Sequence, residues 1–215
     1  MPQAASAQDK PFTLTLTPEA SAGPTVRLND AATGYPISER GAVNYQLGLY
    51  LGLGQRADIG VRFLHTGLGV ETTTNVATES GVRSRRSMNS GAIDARVFAW
   101  RNSWAALFVG FNVGLGWQKV DHTITRVEQP FSAPLVSRSR CEVRGGPGLG
   151  LGAGLGGEFD LEENTSFVLS VSGMTNRFSS DPIEGCADGA GTVNLFLAQI
   201  GFLHRFDLGG SKGKK

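Results

Sequence analysis

Alternation of period two, sustained over ten residues and more, constrains this chain more than any other feature. From Val43 onward, Val43, Tyr45, Leu47, Leu49, Leu51 and Leu53 fall on one face, while Asn44, Gln46, Gly48, Tyr50, Gly52 and Gly54 fall on the other. Ala105, Leu107, Val109, Phe111, Val113, Leu115 and Trp117 alternate with Ala106, Phe108, Gly110, Asn112, Gly114 and Gly116. Leu149, Leu151, Ala153 and Leu155 alternate with Gly148, Gly150, Gly152, Gly154 and Gly156. Side chains of a strand point to opposite faces in turn, so these are strand signatures and not helical ones. A soluble sheet turns its apolar face to a core and a well-solvated face to water. Here the second face is thin, made of glycine and small polar residues. Thirty of 215 residues are glycine, roughly twice ordinary usage.

Eight segments carry the strand pattern: 12–25, 42–54, 58–70, 90–100, 105–121, 147–161, 166–178 and 192–208. The linkers after the second, fourth and sixth are short, as in Gln55-Arg56-Ala57 and Glu162 to Thr165. Those after the first, third, fifth and seventh are long and polar. In an antiparallel meander this sorting puts all tight turns at one end, together with both termini. The expectation is an all-β, eight-stranded antiparallel up-and-down transmembrane β-barrel with short periplasmic turns and long extracellular loops. Its apolar residues face lipid, and its closed wall pairs every backbone group. Trp100, Trp104, Trp117, Phe202 and Phe206 stand near strand ends, where interfacial aromatics belong.

Composition removes the competing classes. A charged fraction of 18% with 40% hydrophobic residues is too apolar for a disordered chain. Net charge of +1 gives no basic footprint for nucleic acid. No apolar run reaches the length of a membrane helix, and glycine does not recur every third residue. Residues 1–11 are expected to be a flexible segment. Ala5-Ser6-Ala7 there reads either as the remnant of a signal-peptidase site or as an ordinary small-residue start. The polar tail 209–215 is expected to be disordered.

The chosen registers point Glu19, Arg62, Asp94, Arg96, Glu158, Asp160, Arg205 and Asp207 inward, and His204 outward. Eight strands enclose a lumen that side chains can fill. Mixed charges there are expected to pair and plug the barrel, with Tyr50, Phe98 and Trp100 filling space opposite the glycines of the fifth and sixth strands. Glycine also eases the curvature of a narrow barrel. The alternative is a wet, glycine-lined cavity.

Cys141 and Cys186 fall on long linkers at the same end, 45 residues apart, and are expected to form a disulfide. Arg83, Arg85 and Arg86 on the second long linker and Arg138, Arg140 and Arg144 on the third suit bidentate contacts with the phosphates of a glycolipid, or serve as solubilising charge. No catalytic, metal or cofactor site is expected. His65, His122 and His204 are dispersed. No serine follows His122 at strand spacing, and no Gly-x-Ser-x-Gly elbow occurs. Gly152, Gly154 and Gly157 match a dinucleotide-binding spacing, but a strand continues through them with no helix after it.

The stretches AVNYQLGLYLGLG from Ala42, FVGFNVGLGW from Phe108 and the closing IGFLHRFDL resemble the small Gram-negative outer-membrane β-barrel proteins, the OmpA-like/OmpW-like barrel group. The resemblance covers roughly residues 12–208 and is one of architecture. It implies residence in the cell outer membrane, contact with membrane lipid and lipopolysaccharide, insertion by the barrel-assembly machinery, a monomer, and a structural or surface-interaction role without catalysis. A narrow porin or small-solute or lipid-binding barrel, and a secreted soluble β-barrel binding module, are the alternatives. Many members end on an aromatic residue, whereas here Phe206 is followed by Asp207, Leu208 and a tail.

Overall fold

The computed structural model describes residues 14–29, 36–75, 80–128, 135–162 and 164–208. The expected N-terminal segment and the tail from 209 lie outside them. In chain order the strands are β1 (Leu14–Arg27), β2 (Ile37–Glu39), β3 (Gly41–Leu53), β4 (Ala57–Asn75), β5 (Ser80–Arg101) and β6 (Ala105–Glu128). They continue with β7 (Leu135–Glu162), β8 (Thr165–Arg177), β9 (Pro182–Ile183), β10 (Ala187–Asp188), β11 (Thr192–His204) and β12 (Phe206–Asp207).

Eight long strands pair antiparallel with their sequence neighbours, from β1 through β3, β4, β5, β6, β7 and β8 to β11. β1 also pairs with β11, from Glu19↔Leu203 to Arg27↔Leu195, so each long strand has a neighbour on both sides. The tight turns lie where the alternation places them. Gly54 takes φ +72° in the β3–β4 turn, a conformation glycine adopts without steric cost. In the β5–β6 turn, Asn102 Oδ1 accepts the backbone N–H groups of Trp104 and Ala105 at 2.9 and 2.8 Å, a side-chain turn of the kind asparagine favours.

The other end differs from expectation. The segments 71–89 and 122–146, which read as long linkers, are mostly strand. β4 runs to Asn75, β5 starts at Ser80, β6 runs to Glu128 and β7 starts at Leu135. Four strands therefore project beyond the others as a ribbon. Its base is one paired row: Tyr45↔His65, His65↔Asn89, Asn89↔Trp117 and Trp117↔Pro147. Beyond it β4 exchanges β3, after Asn44↔Thr66, for the short β2, which pairs with Val70 and Glu71, and β7 pairs with β8 only from Leu149 onward. Two register shifts near the base, at Gly67/Gly69 in β4 and at Trp117/Lys119 opposite β7, accommodate the change. Gly69 takes φ +96°, and bulges of this kind re-aim the side chains beyond them. A short hairpin, β9–β10, leans on the ribbon's inner face, where Ile183 and Ala187 pack with Val120 and Val143.

The outward face is apolar over a continuous belt, with Leu47, Leu49, Val61, Phe63, Ile93, Leu107, Phe111, Leu151, Leu155, Ile200 and Phe202 all exposed. Along β6 the belt runs from Leu107 to Trp117. Ten steps of about 3.3 Å, tilted by about 40°, give a height of about 25 Å.

Candidate functional site

The interior divides into three charged networks separated by apolar packing. At mid-height, Arg96 Nη1 meets Glu19 Oε2 at 2.5 Å, and Arg96 Nη2 donates to Tyr50 Oη at 2.7 Å. Tyr50 donates in turn to Asp94 Oδ2 at 3.0 Å, and Arg62 Nη1 lies 3.7 Å from the same oxygen. Gln46 Nε2 donates to Glu19 Oε1 at 3.2 Å. The Arg96 guanidinium also lies 4.0 Å from the centre of the Tyr50 ring and 4.9 Å from that of Phe108. Two carboxylates and two guanidiniums thus balance in a buried space, the condition under which interior charge is tolerated.

Near the tight turns, Glu158 is 1% exposed and binds both Arg101, at 3.1 Å, and Arg205. Arg101 stacks on Phe98 at 3.7 Å. At the ribbon end, Glu71 bridges Arg27 Nη1 at 3.2 Å and Arg86 Nε at 3.0 Å, all three fully buried. Arg86 Nη1 further donates to the Asp188 carbonyl of the leaning hairpin at 2.7 Å, and Gln118 Oε1 accepts from Ala190 N at 3.0 Å.

Of the eight charges expected in the interior, Glu19, Arg62, Asp94, Arg96 and Glu158 are buried inside. Arg205 is partly exposed at the tight-turn end. Asp160 and Asp207 are corrections. Both follow the inward parity, but the wall ends at their level: the Asp160 side chain is 41% exposed and Asp207 faces solvent. Arg86 is a further correction. Its place in the sequence groups it with the rim arginines, yet it sits inside, 2% exposed. Trp100, expected to fill the lumen, is turned outward at 46% exposure by the register shift between Phe98 and Trp100.

Phe108 takes the place assigned to Trp100. A Cβ on Gly156 would lie 2.7 Å from Phe108 Cε1, and one on Gly152 would lie 2.7 Å from Asn112 Nδ2. The glycine wall of β7 is thus the seat for side chains of β6. Beside the mid-height network lies a space of about 30 Å³, enough to hold ordered water. Apolar clusters flank it: Leu64, Leu68, Met88, Met174 and Leu195 on the ribbon side, and Phe98, Phe108, Val168 and Leu203 toward the tight turns.

Cys141 and Cys186 are joined in a disulfide. Cys141 belongs to β7, paired with His122, and not to a linker, so the bond ties the leaning hairpin to the ribbon. His122 Nδ1 meets Ser84 Oγ at 2.7 Å, a partner from the neighbouring strand that spacing along the chain does not reveal. Burial, and then the nearby Arg86, push the His122 imidazole below its ordinary pKa. Among the described residues no carboxylate hydrogen-bonds this ring, so the pair lacks the acid that orients a catalytic histidine.

Arg83, Arg85, Arg138, Arg140 and Arg144 are exposed on the ribbon. Their odd and even numbers reach one outward face because of the register: Arg83↔Thr123↔Arg140, Arg85↔Asp121↔Glu142 and Ser87↔Lys119↔Arg144. Arg140 binds Asp121 through both Nε, at 2.9 Å, and Nη2, at 2.5 Å, and holds that carboxyl below its usual range.

No family model matches the chain, and no curated protein matches its sequence. Solved structures do match its fold. One is Neisserial surface protein A, at 10% identity and a TM-score of 0.54, covering 90% of this chain and 97% of that one. Another is a major outer membrane protein from Thermus thermophilus, at 14% identity and a TM-score of 0.51, covering 90% and 99%. At these identities the likeness is one of fold: an antiparallel β-barrel of the small outer-membrane type.

Proposed function

We propose that the chain is an outer-membrane barrel with a filled interior, serving a structural and surface-interaction role. One contrast carries the reading: large apolar side chains face outward over about 25 Å, while ion-paired and apolar side chains occupy the lumen. Water opposes that arrangement, since monomeric soluble proteins rarely expose so continuous an apolar surface. Lipid favours it, because the antiparallel ring satisfies the backbone within the wall. Tight turns then face the periplasm and the ribbon faces the outside, in contact with lipopolysaccharide, after insertion by the barrel-assembly machinery. The disulfide suits that oxidising side. A space of only about 30 Å³ beside the mid-height network favours a plug over a passage.

Planar-bilayer recording and a heat-dependent gel shift test this reading. The folded chain should migrate differently from the boiled one and give no stable unitary steps. Steps would overturn the filled lumen, and a monodisperse chain without detergent would overturn the membrane wall.

A further inference from the structure

The hairpin that leans on the ribbon brings one end of the disulfide to a cavity of about 300 Å³. Ser84, Arg86 and His122 line it from the ribbon, and Gly185, Cys186 and Asp188 line it from the hairpin. Cys186 borders the cavity and Cys141 does not. A tight turn sets Cys186 there. Glu184 and Gly185 take φ of +49° and +68°, and the Cys186 N–H donates to the Ile183 carbonyl at 2.9 Å. Both cysteines are half-buried, so neither is sealed in a core. At the level of Cys141, the side of β7 away from β6 has no paired strand among the described residues.

The groups around the bond favour a thiolate. Arg27 and Arg86 share the Glu71 carboxylate, and Arg86 extends Nη1 to the Asp188 carbonyl at the cavity wall. His122 pairs across the sheet with Cys141, which puts their Cβ atoms about 5 Å apart. Its Nδ1 is engaged by Ser84 Oγ, which leaves Nε2 as the ring nitrogen available to a neighbour. Cationic and imidazole neighbours of this kind stabilise a thiolate sulfur. We propose that Cys141–Cys186 is a thiol-exchange site, which takes a small external thiol through this cavity. The incoming thiolate attacks Cys186 Sγ in line with the disulfide. A bond forms between the two sulfurs, the Cys141 sulfur leaves with the electron pair, and water protonates it. One disulfide and one thiolate are exchanged for another such pair, so no separate oxidant or reductant enters. The hairpin keeps its seat through Ile183, Ala187 and the Arg86 hydrogen bond, and now carries the substituent of the thiol. Only the arrival of that thiol from outside the cell rests on the membrane reading above.

The full chain, folded in detergent, is incubated with mercaptoethanesulfonate, quenched with acid, cleaved and mapped by mass. The adduct should sit on Cys186, with Cys141 recovered as the free thiol, whereas a urea-unfolded control should carry adducts on both. His122→Leu should slow the reaction about threefold or more, since a leaving thiol of higher pKa departs more slowly. His122→Gln keeps an N–H donor and should recover most of the rate. The gel shift of each variant, read in parallel, reports that the barrel has folded. An adduct on Cys141, equal adducts on both cysteines, or reaction only after unfolding would overturn the proposal. So would equal rates for the wild type and His122→Leu. A thiol-terminated polymer too large to cross the outer membrane, and shown to label the detergent-folded chain, should also label Cys186 on intact cells. Labelling in detergent but not on cells would overturn the outward ribbon and leave the exchange site intact.

Discussion

Arg96 is the position at which the filled-lumen account is most exposed to refutation. It is 4% exposed, holds Glu19 at 2.5 Å and Tyr50 at 2.7 Å, and lies over two aromatic rings. Arg96→Met keeps the stem and removes the charge. Glu19 is then left as a buried carboxylate with Gln46 as its remaining partner, and Tyr50 loses a donor. Removing one member of a buried pair destabilises by about 3–5 kcal/mol, because the other charge stays desolvated. The double variant Glu19→Gln with Arg96→Met removes both charges and should be destabilised by only about 1–2 kcal/mol, the size expected for lost hydrogen bonds. The cycle should thus show a coupling of at least about 2 kcal/mol. Urea unfolding from lipid vesicles, followed by the fluorescence of Trp100, Trp104 and Trp117, measures each corner. All three tryptophans are exposed on the belt or its borders and report on contact with lipid. Additive losses, or an Arg96→Met change below about 1 kcal/mol, would mean that the charge is hydrated. A hydrated charge is incompatible with a plugged interior.

Two other outcomes follow from particular contacts. Gly156→Val should displace the Phe108 ring and destabilise the barrel by about 1–3 kcal/mol, as overpacked cores do, whereas the same change at Gly173, where a Cβ meets nothing within 4 Å, should be nearly neutral in the same unfolding assay. His122 is held below its ordinary pKa, so the ribbon with its hairpin docked binds fewer protons than the undocked form as pH falls through the ordinary histidine range. Docking of the 178–191 segment should therefore be stable above that range and weaken below it. Limited proteolysis near Gly185 as a function of pH measures this, and His122→Asn should flatten the profile; an unchanged profile would refute it.

The wall of the barrel is legible in the sequence because lipid-facing and lumen-facing residues obey one period, which the eye can follow through Val43 to Leu53. The alternation also places Arg62, and Asp58 shares its parity. Asp58 is indeed buried, so the parity that reveals Arg62 could have found it too. Arg86 shares the inward parity of Asp94 and Arg96 along β5, so extending that strand would have found it, whereas Glu71 is not readable in this way. The shift at Gly67/Gly69 flips the parity of β4 beyond it, and nothing but a folded backbone reveals such a shift. The ribbon escapes for another reason. Its strands stand in water on the outward face, so charged residues replace apolar ones, and the pattern reads as linker. Ser84 and His122 are 38 residues apart and meet only through register.

The end of the ring at the row His65–Asn89–Trp117 has a consequence for depth. Above it, the β7 side away from β6 has no β8 partner until Leu149, and its amide and carbonyl groups need water. Hydrocarbon does not supply such partners. The free margin of the ribbon therefore acts as a stop: immersion can proceed until the last fully paired row reaches the lipid boundary and no further. Trp117, standing at that level, marks a waterline that hydrogen bonding, rather than hydropathy, sets.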